Sequence, residues 1–225
     1  MAKFSRVQVW SKMEELGLVP LFYRGDIDVA KKLVAAISSG GGKVIEFTNR
    51  GDRAFRVFEE LVVWTEENHP DVILGAGSIP DPVTAGLYIN LGANFIVGSV
   101  TNAEVAKLCN RRKVAYCPGC GTASEVSEAE ELGCEIVKVF PGGQVGGPAF
   151  VKAVLGPCPW VSMMPTGGVD CTEESLKAWF EAGVTCVGIG SKLIRKDLVQ
   201  AGDFDGIREN VKKTLEIIRR VRAKK

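Results

Sequence analysis

Short hydrophobic runs alternate along this chain with longer amphipathic segments. The runs are the length of buried strands and cover 18–23, 43–48, 72–76, 95–97, 114–117, 136–139, 161–164 and 184–188. The segments between them have the helical period and cover 27–38, 53–68, 82–91, 102–111, 123–132, 147–155 and 172–182. An amphipathic helix over 5–16 precedes the first strand, and a helix over about 204–222 closes the chain.

Eight strand–helix repeats predict a parallel sheet, because a helix that follows each strand carries the chain back to start the next one. Eight such units within 225 residues predict a closed (β/α)8 TIM barrel over about 18–200. No linker interrupts the repeat, so we expect a single α/β domain over 1–225, with an N-terminal helix. An open doubly wound sheet is the alternative. In such a barrel, functional residues gather at the C-terminal ends of the strands.

Composition and charge narrow the function. The net charge is +1, so no basic field favours binding to nucleic acid or to an anionic membrane. No apolar stretch approaches the roughly 18 residues of a membrane span, and the first residues lack the pattern of a signal peptide. Seven cysteines, an odd number, suit reduced thiols better than a disulfide framework. We therefore expect a cytoplasmic protein.

One strand contains a lysine. The run 136–140 reads IVKVF and is followed directly by PGG, so Lys138 lies inside an apolar segment. Burial lowers the pKa of a lysine amine by up to about 3–5 units and so makes it a nucleophile toward carbonyl carbon. A lysine at a strand end can also extend its ammonium into water. This residue alone leaves both interpretations open.

A second strand ends with a group of polar residues. The sequence 44–50 reads VIEFTNR, which places Glu46 within an apolar run and Thr48 on the same face, with Arg50 just beyond. A glutamate is rarely buried in a strand unless it has a partner or a task. An ion pair at the surface or at the lower end of the barrel is the alternative for Glu46.

Small residues mark the ends of four further strands. These are GAGS at 75–78, CPG at 117–119, PTGG at 165–168 and GIGS at 188–191. Small residues let a ligand approach the backbone, so we count Pro118 among the predicted substrate-binding residues. The last two stretches precede helices, and the loops after strands seven and eight are where such barrels hold phosphate.

Together these motifs resemble the 2-keto-3-deoxy-6-phosphogluconate (KDPG) and 4-hydroxy-2-oxoglutarate (KHG) aldolase family. The segments that carry the resemblance, in order, are VIEFTNR, GAGS, VKVFP, PTGGV and GIGS. Gly142-Gly143 replaces the Ala-Glu pair that is common after the Phe-Pro of this family. The resemblance implies a class I aldolase, usually a homotrimer, that forms a Schiff base with its substrate.

The resemblance also implies roles for individual residues. Lys138 would form the Schiff base and Glu46 would transfer protons. The implied substrate-binding residues are Arg50 and Thr48 for the pyruvyl carboxylate, Ser78 and Phe140 for the pocket wall, and Gly167, Gly168, Gly190 and Ser191 for the phosphate. An iminium is the electron sink, so no metal or other cofactor is expected. The expected substrate is a 2-keto acid whose aldehyde portion is either phosphorylated or derived from glyoxylate.

Three other functions compete with this interpretation. Cys117 and Cys120 form a Cys-x-x-Cys, which is typical of redox sites and of half a zinc site. A phosphate-binding barrel isomerase or synthase would share the glycine-rich loops but would not form a Schiff base. A binding protein on the same fold would carry out no reaction.

Overall fold

A computed structural model describes residues 2–223, which form nine strands and ten helices. The strands are β1 Leu18–Phe22, β2 Val44–Thr48, β3 Ile73–Gly77, β4 Phe95–Val97, β5 Ala115–Cys117, β6 Gly119–Cys120, β7 Val137–Val139, β8 Met163–Pro165 and β9 Val187–Ile189. The helices are α1 Arg6–Leu16, α2 Ile27–Ser39, α3 Ala54–Asn68, α4 Pro82–Asn90, α5 Ala103–Arg112, α6 Ala123–Glu131, α7 Gly147–Leu155, α8 Glu173–Ala182, α9 Lys196–Ala201 and α10 Phe204–Arg222. The predicted range 1–225 includes residues 1, 224 and 225, which lie outside the described residues.

All strand pairs are parallel, and they form a (β/α)8 barrel. Six strands pair in the order β5-β4-β3-β2-β1-β9 and three in the order β6-β7-β8. β5 and β6 are one barrel strand interrupted at Pro118, which has no N–H to donate, while its carbonyl accepts a hydrogen bond from the Lys138 N–H at 2.9 Å. A bridge between Thr166 and Gly188 joins the other edges. The predicted barrel is confirmed, and the open sheet is wrong.

Alternation along the strands separates two apolar layers. Side chains that point outward meet the surrounding helices, and the inward ones fill the lower part of the barrel. Val9 and Met13 of α1 belong to the inner cluster, together with Val44, Ile136 and Met164. The N-terminal helix therefore closes the end of the barrel that lies opposite to the C-terminal ends of the strands.

Most helices begin at a side chain that accepts hydrogen bonds from the first backbone N–H groups. This capping fixes where each loop stops and the helix starts. Residues that cap in this way include Asp26, Asp81, Asn102, Thr122 and Thr172. The predicted helices consequently agree with the structure to within one residue at each end, as the bounds of α2 to α8 illustrate.

The sequence interpretation missed two elements. The two-residue strand β6 is defined by its pairing with β7, which no local pattern reveals. The helix α9 lies between β9 and α10 and has no buried residue, so it lacks the apolar stripe by which a helix is recognised. No helix within residues 2–223 has both the length and the apolar character that crossing a bilayer requires.

The closure of the barrel by α1 gives a stability prediction. Met13 is 1% exposed, so we expect Met13→Ala to lower the free energy of unfolding by about 2–5 kcal/mol through lost burial and a residual cavity. Val7→Ala on the same helix is the matched control, because Val7 is 68% exposed. Urea unfolding measures both variants. Equal losses would contradict a buried role for this helix face.

Candidate active site

A cleft of about 570 Å³ lies at the C-terminal ends of the strands. It is lined by the last residues of β1 and β2 and by segments that follow β1, β2, β7, β8 and β9, so residues far apart in the chain face the same space. Six of the predicted site residues are in its lining, namely Thr48, Arg50, Phe140, Gly167, Gly190 and Ser191. This is the end of the barrel where the sequence predicts the site.

Glu46 and Lys138 lie beneath the cleft. Glu46 precedes the lining residue Thr48 by two positions, and Lys138 precedes the lining residue Phe140 by two. Each therefore points to the same side of its strand as that lining residue, one layer deeper in the barrel. Both are buried, with Glu46 1% exposed and Lys138 5% exposed. The Lys138 Nζ lies 4.9 Å from the centroid of the Phe140 ring. The alternative positions, an extended surface lysine and a surface ion pair of Glu46, are wrong.

The Glu46 carboxyl is strongly desolvated. Its Oε2 is buried and has no hydrogen-bond partner among the described residues. Burial raises the pKa of Glu46 above its ordinary value of 4.5, and the positive charges of Lys138 and Arg50 act in the opposite direction. The site therefore favours a carboxyl that holds its proton to a higher pH than a free glutamate does.

Gly77 on the neighbouring strand makes room for this carboxyl. A Cβ built at residue 77 would lie 1.7 Å from the Glu46 Oε1, well inside contact distance. The same relation holds between Gly188 and Thr166, where a Cβ would lie 2.3 Å from the threonine Oγ1. A side chain at either position would therefore displace a polar group that points into the barrel.

The sequence interpretation missed Thr166 as a site residue. Thr166 is among the residues that line the cleft, and its Oγ1 is buried with no hydrogen-bond partner in residues 2–223. The signal was present, because Thr166 is part of the PTGG stretch and lies two positions after the inward-pointing Met164. Thr166 thus places a buried, unpaired hydroxyl in the wall of the cleft.

The predicted phosphate residues come together at one corner of the barrel. Gly167, Gly168, Gly190 and Ser191 line a smaller cavity of about 300 Å³. Gly167 and Gly168 have φ of 82° and 80°, the left-handed region that favours glycine. Their loop contacts the loop after β7, where Gly142 N–H donates to the Thr166 carbonyl and Gly143 N–H to the Gly167 carbonyl, each at 2.9 Å.

Apart from the buried pair, two predicted residues line neither the cleft nor the smaller cavity. Ser78 is half-buried and follows Gly77 with a φ of 59°, a left-handed conformation that is uncommon for a serine. Pro118 is buried in the barrel wall, where its carbonyl accepts the backbone hydrogen bond from Lys138. The structure therefore places both outside the lining of the cleft, Ser78 directly after Gly77, the glycine that faces the Glu46 carboxyl, and Pro118 on the strand that pairs with Lys138.

The Cys-x-x-Cys does not form a joint site. Cys117 belongs to the cluster inside the barrel, while Cys120 belongs to the outer cluster under the helices. Burial raises the pKa of Cys117 well above its ordinary value and that of Cys120 to about 11, so neither is a ready thiolate. Across residues 2–223, no group of three or more His, Cys, Asp or Glu side chains is arranged to hold a metal ion.

Comparison with known proteins agrees with this geometry. The profile of the family described as "Aldolase: KDPG and KHG aldolase" matches residues 9–210. The chain belongs to this family. The predicted resemblance is thus confirmed, and with it the aldolase class.

Individual relatives cover nearly the whole chain. A 2-dehydro-3-deoxy-phosphogluconate aldolase of Pseudoalteromonas atlantica is 32% identical over 88% of this chain and 89% of its own. One from Haemophilus influenzae is 28% identical over 96% and 99%. The KDPG aldolase of Legionella pneumophila, solved with pyruvate captured as a covalent carbinolamine, is 25% identical, with a TM-score of 0.83 over 92% of this chain and 98% of that chain.

The buried carboxyl gives a prediction for stability against pH. Because the native state keeps the Glu46 proton at pH values where the unfolded chain loses it, the contribution of this carboxyl to stability falls as pH rises above 4.5. Glu46→Gln removes this contribution. We expect its stability relative to wild type to increase by up to about 1.4 kcal/mol per pH unit until the native carboxyl ionises.

Urea unfolding between pH 4 and pH 8 measures this difference, and Glu66→Gln on the exposed face of α3 is the control. A difference between Glu46→Gln and wild type that does not change with pH would contradict the raised pKa of Glu46.

Proposed function

We propose that this chain is a class I aldolase that cleaves KDPG to pyruvate and glyceraldehyde 3-phosphate, KHG to pyruvate and glyoxylate, or both. The observation that carries this proposal is the pair of buried groups, Lys138 and Glu46, beneath a cleft at the strand ends. Family membership and the covalent carbinolamine of the Legionella relative support it.

Lys138 is the proposed nucleophile. Its uncharged amine adds to the C2 ketone of the substrate to form a carbinolamine, which loses water to give an iminium. The C3–C4 bond then breaks, and its electron pair moves into the iminium to leave an enamine, while the C4 hydroxyl loses its proton and becomes the aldehyde. Protonation of the enamine at C3 and addition of water release pyruvate and restore the amine.

Glu46 is the proposed acid and base in these steps. Its raised pKa lets the carboxyl donate a proton to the leaving hydroxyl of the carbinolamine and take one from the C4 hydroxyl. It then returns that proton to C3 of the enamine. General acid–base groups of this kind contribute roughly 10²–10⁴ in rate.

The other predicted residues bind the substrate. Arg50 is exposed at the end of β2, where its guanidinium fork suits the pyruvyl carboxylate, with the Thr48 hydroxyl beside it. The Phe140 ring, whose centroid lies 4.9 Å from the Lys138 Nζ, forms the part of the pocket wall next to the Schiff base. We assign Ser78 and Pro118 to supporting the buried pair. The remaining predicted residues would hold the phosphate through backbone N–H groups, and they are Gly167, Gly168, Gly190 and Ser191.

We further propose that the chain is one domain, acts in the cytoplasm and assembles as a homotrimer. All seven cysteines are free thiols, which suits a reducing compartment. The trimer is inferred from the family alone. Sedimentation equilibrium is expected to give three times the 24.2 kDa of the chain, and a monomer would contradict this assembly.

Trapping of the intermediate tests the reaction. Incubation with pyruvate and sodium borohydride is expected to reduce the iminium and attach a stable adduct to Lys138, which peptide mass spectrometry locates. Lys138→Met is expected to abolish both the adduct and the cleavage of KDPG. Lys177→Met, an exposed lysine on α8, is the control. Turnover by Lys138→Met would overturn the Schiff-base mechanism and favour a barrel enzyme that uses acid–base chemistry alone.

A further inference from the structure

The charge of the cleft is unbalanced. Its lining contains three cations, Arg24, Arg50 and Lys196, and no aspartate or glutamate. Two further cations on the same stretch as Lys196 are already paired, since Lys192 contacts Asp170 and Arg195 contacts Asp197.

Lys196 differs from its neighbours Lys192 and Arg195. It is exposed, lines the cleft and forms no ion pair with any residue in 2–223. Arg24, on the segment after β1, likewise has no carboxylate partner there, and its guanidinium reaches only the carbonyl of the preceding Tyr23 at 3.4 Å. Unpaired cations that share a cleft repel one another, so the arrangement favours an anionic ligand.

The proposed function accounts for only one of these charges, because Arg50 is assigned to the pyruvyl carboxylate. A phosphate monoester carries about −1.5 to −2 at pH 7, which matches two cations better than one. The carboxylate of KHG is attached directly to C4 and so remains close to the buried pair. The phosphate of KDPG is attached to C6, two carbons farther along, and can reach the rim of the cleft.

We propose that Lys196 is a specificity-determining residue that binds the phosphate of the aldehyde portion and makes KDPG the preferred substrate over KHG. This inference rests on the proposed aldolase function and deepens it. The glycine-rich loops supply uncharged N–H donors, and Lys196 supplies a positive charge in the lining of the same cleft.

The test compares Lys196→Gln with Arg195→Gln. Both variants remove one positive charge at adjacent exposed positions, but the Arg195 side chain is paired with Asp197 and does not line the cleft. The substrates are KDPG, its unphosphorylated analogue 2-keto-3-deoxygluconate, and KHG. The readout is the ratio of kcat/KM for KDPG to kcat/KM for the unphosphorylated analogue.

We expect Lys196→Gln to lower this ratio about tenfold, mainly through KM for KDPG, because a hydrogen bond to a charged group is lost. Lys196→Arg, which keeps the charge, is expected to restore most of the ratio, and Arg195→Gln to leave it unchanged. Wild type is expected to cleave KDPG with a higher kcat/KM than KHG. An unchanged ratio in Lys196→Gln, or equal cleavage of KDPG and KHG by wild type, would overturn the inference.

Borohydride trapping with pyruvate separates this inference from the proposed function, because pyruvate carries no phosphate. If wild type traps pyruvate at Lys138 and the ratio does not respond to Lys196→Gln, only the role of Lys196 is lost. If wild type does not trap pyruvate, the proposed function and this inference fail together.

Discussion

The site depends on the placement of two ionisable groups inside an otherwise apolar barrel. Lys138 and Glu46 share the interior with aliphatic and sulfur-containing side chains, and Glu46 Oε2 has no hydrogen-bond partner in the described residues. A buried polar group that lacks a partner costs about 1–3 kcal/mol of stability. Such a cost is typical of functional sites, because the same desolvation that destabilises the charged carboxyl raises its pKa.

Glycines on the neighbouring strands supply space for the inward polar side chains. Gly77 accommodates the Glu46 carboxyl, and Gly188 accommodates the Thr166 hydroxyl, so each inward polar side chain is matched by a neighbour without a Cβ. The loops above follow the same rule. A Cβ at Gly168 would lie 2.7 Å from the Cα of Gly143, so the loops after β7 and β8 contact each other through glycine on both sides. At these positions glycine leaves room for atoms of the neighbouring strand or loop.

Closure of the barrel brings the acid and the amine together. Glu46 lies within the six-stranded sheet, paired with Leu21 and Gly75, while Lys138 lies on the middle strand of the three-stranded sheet. The two sheets meet at the break around Pro118 and at the Thr166–Gly188 bridge. The relative position of the two groups is therefore set by the way the barrel closes, since no strand carries both.

The sequence by itself determined the repeat, the barrel and the candidate chemistry, because apolar periodicity, N-caps and an unusual lysine or glutamate in a strand are local signals. It left α9 and β6 unseen, since a helix without an apolar stripe and a strand defined by its partner have no local pattern. Only the tertiary structure decided that Cys117 and Cys120 belong to different layers, that Ser78 and Pro118 lie outside the cleft lining, and that Thr166 and Lys196 belong to it. The two-residue period of a strand fixes which way a side chain points, but the neighbours that this side chain meets depend on how the strands pair and how the barrel closes.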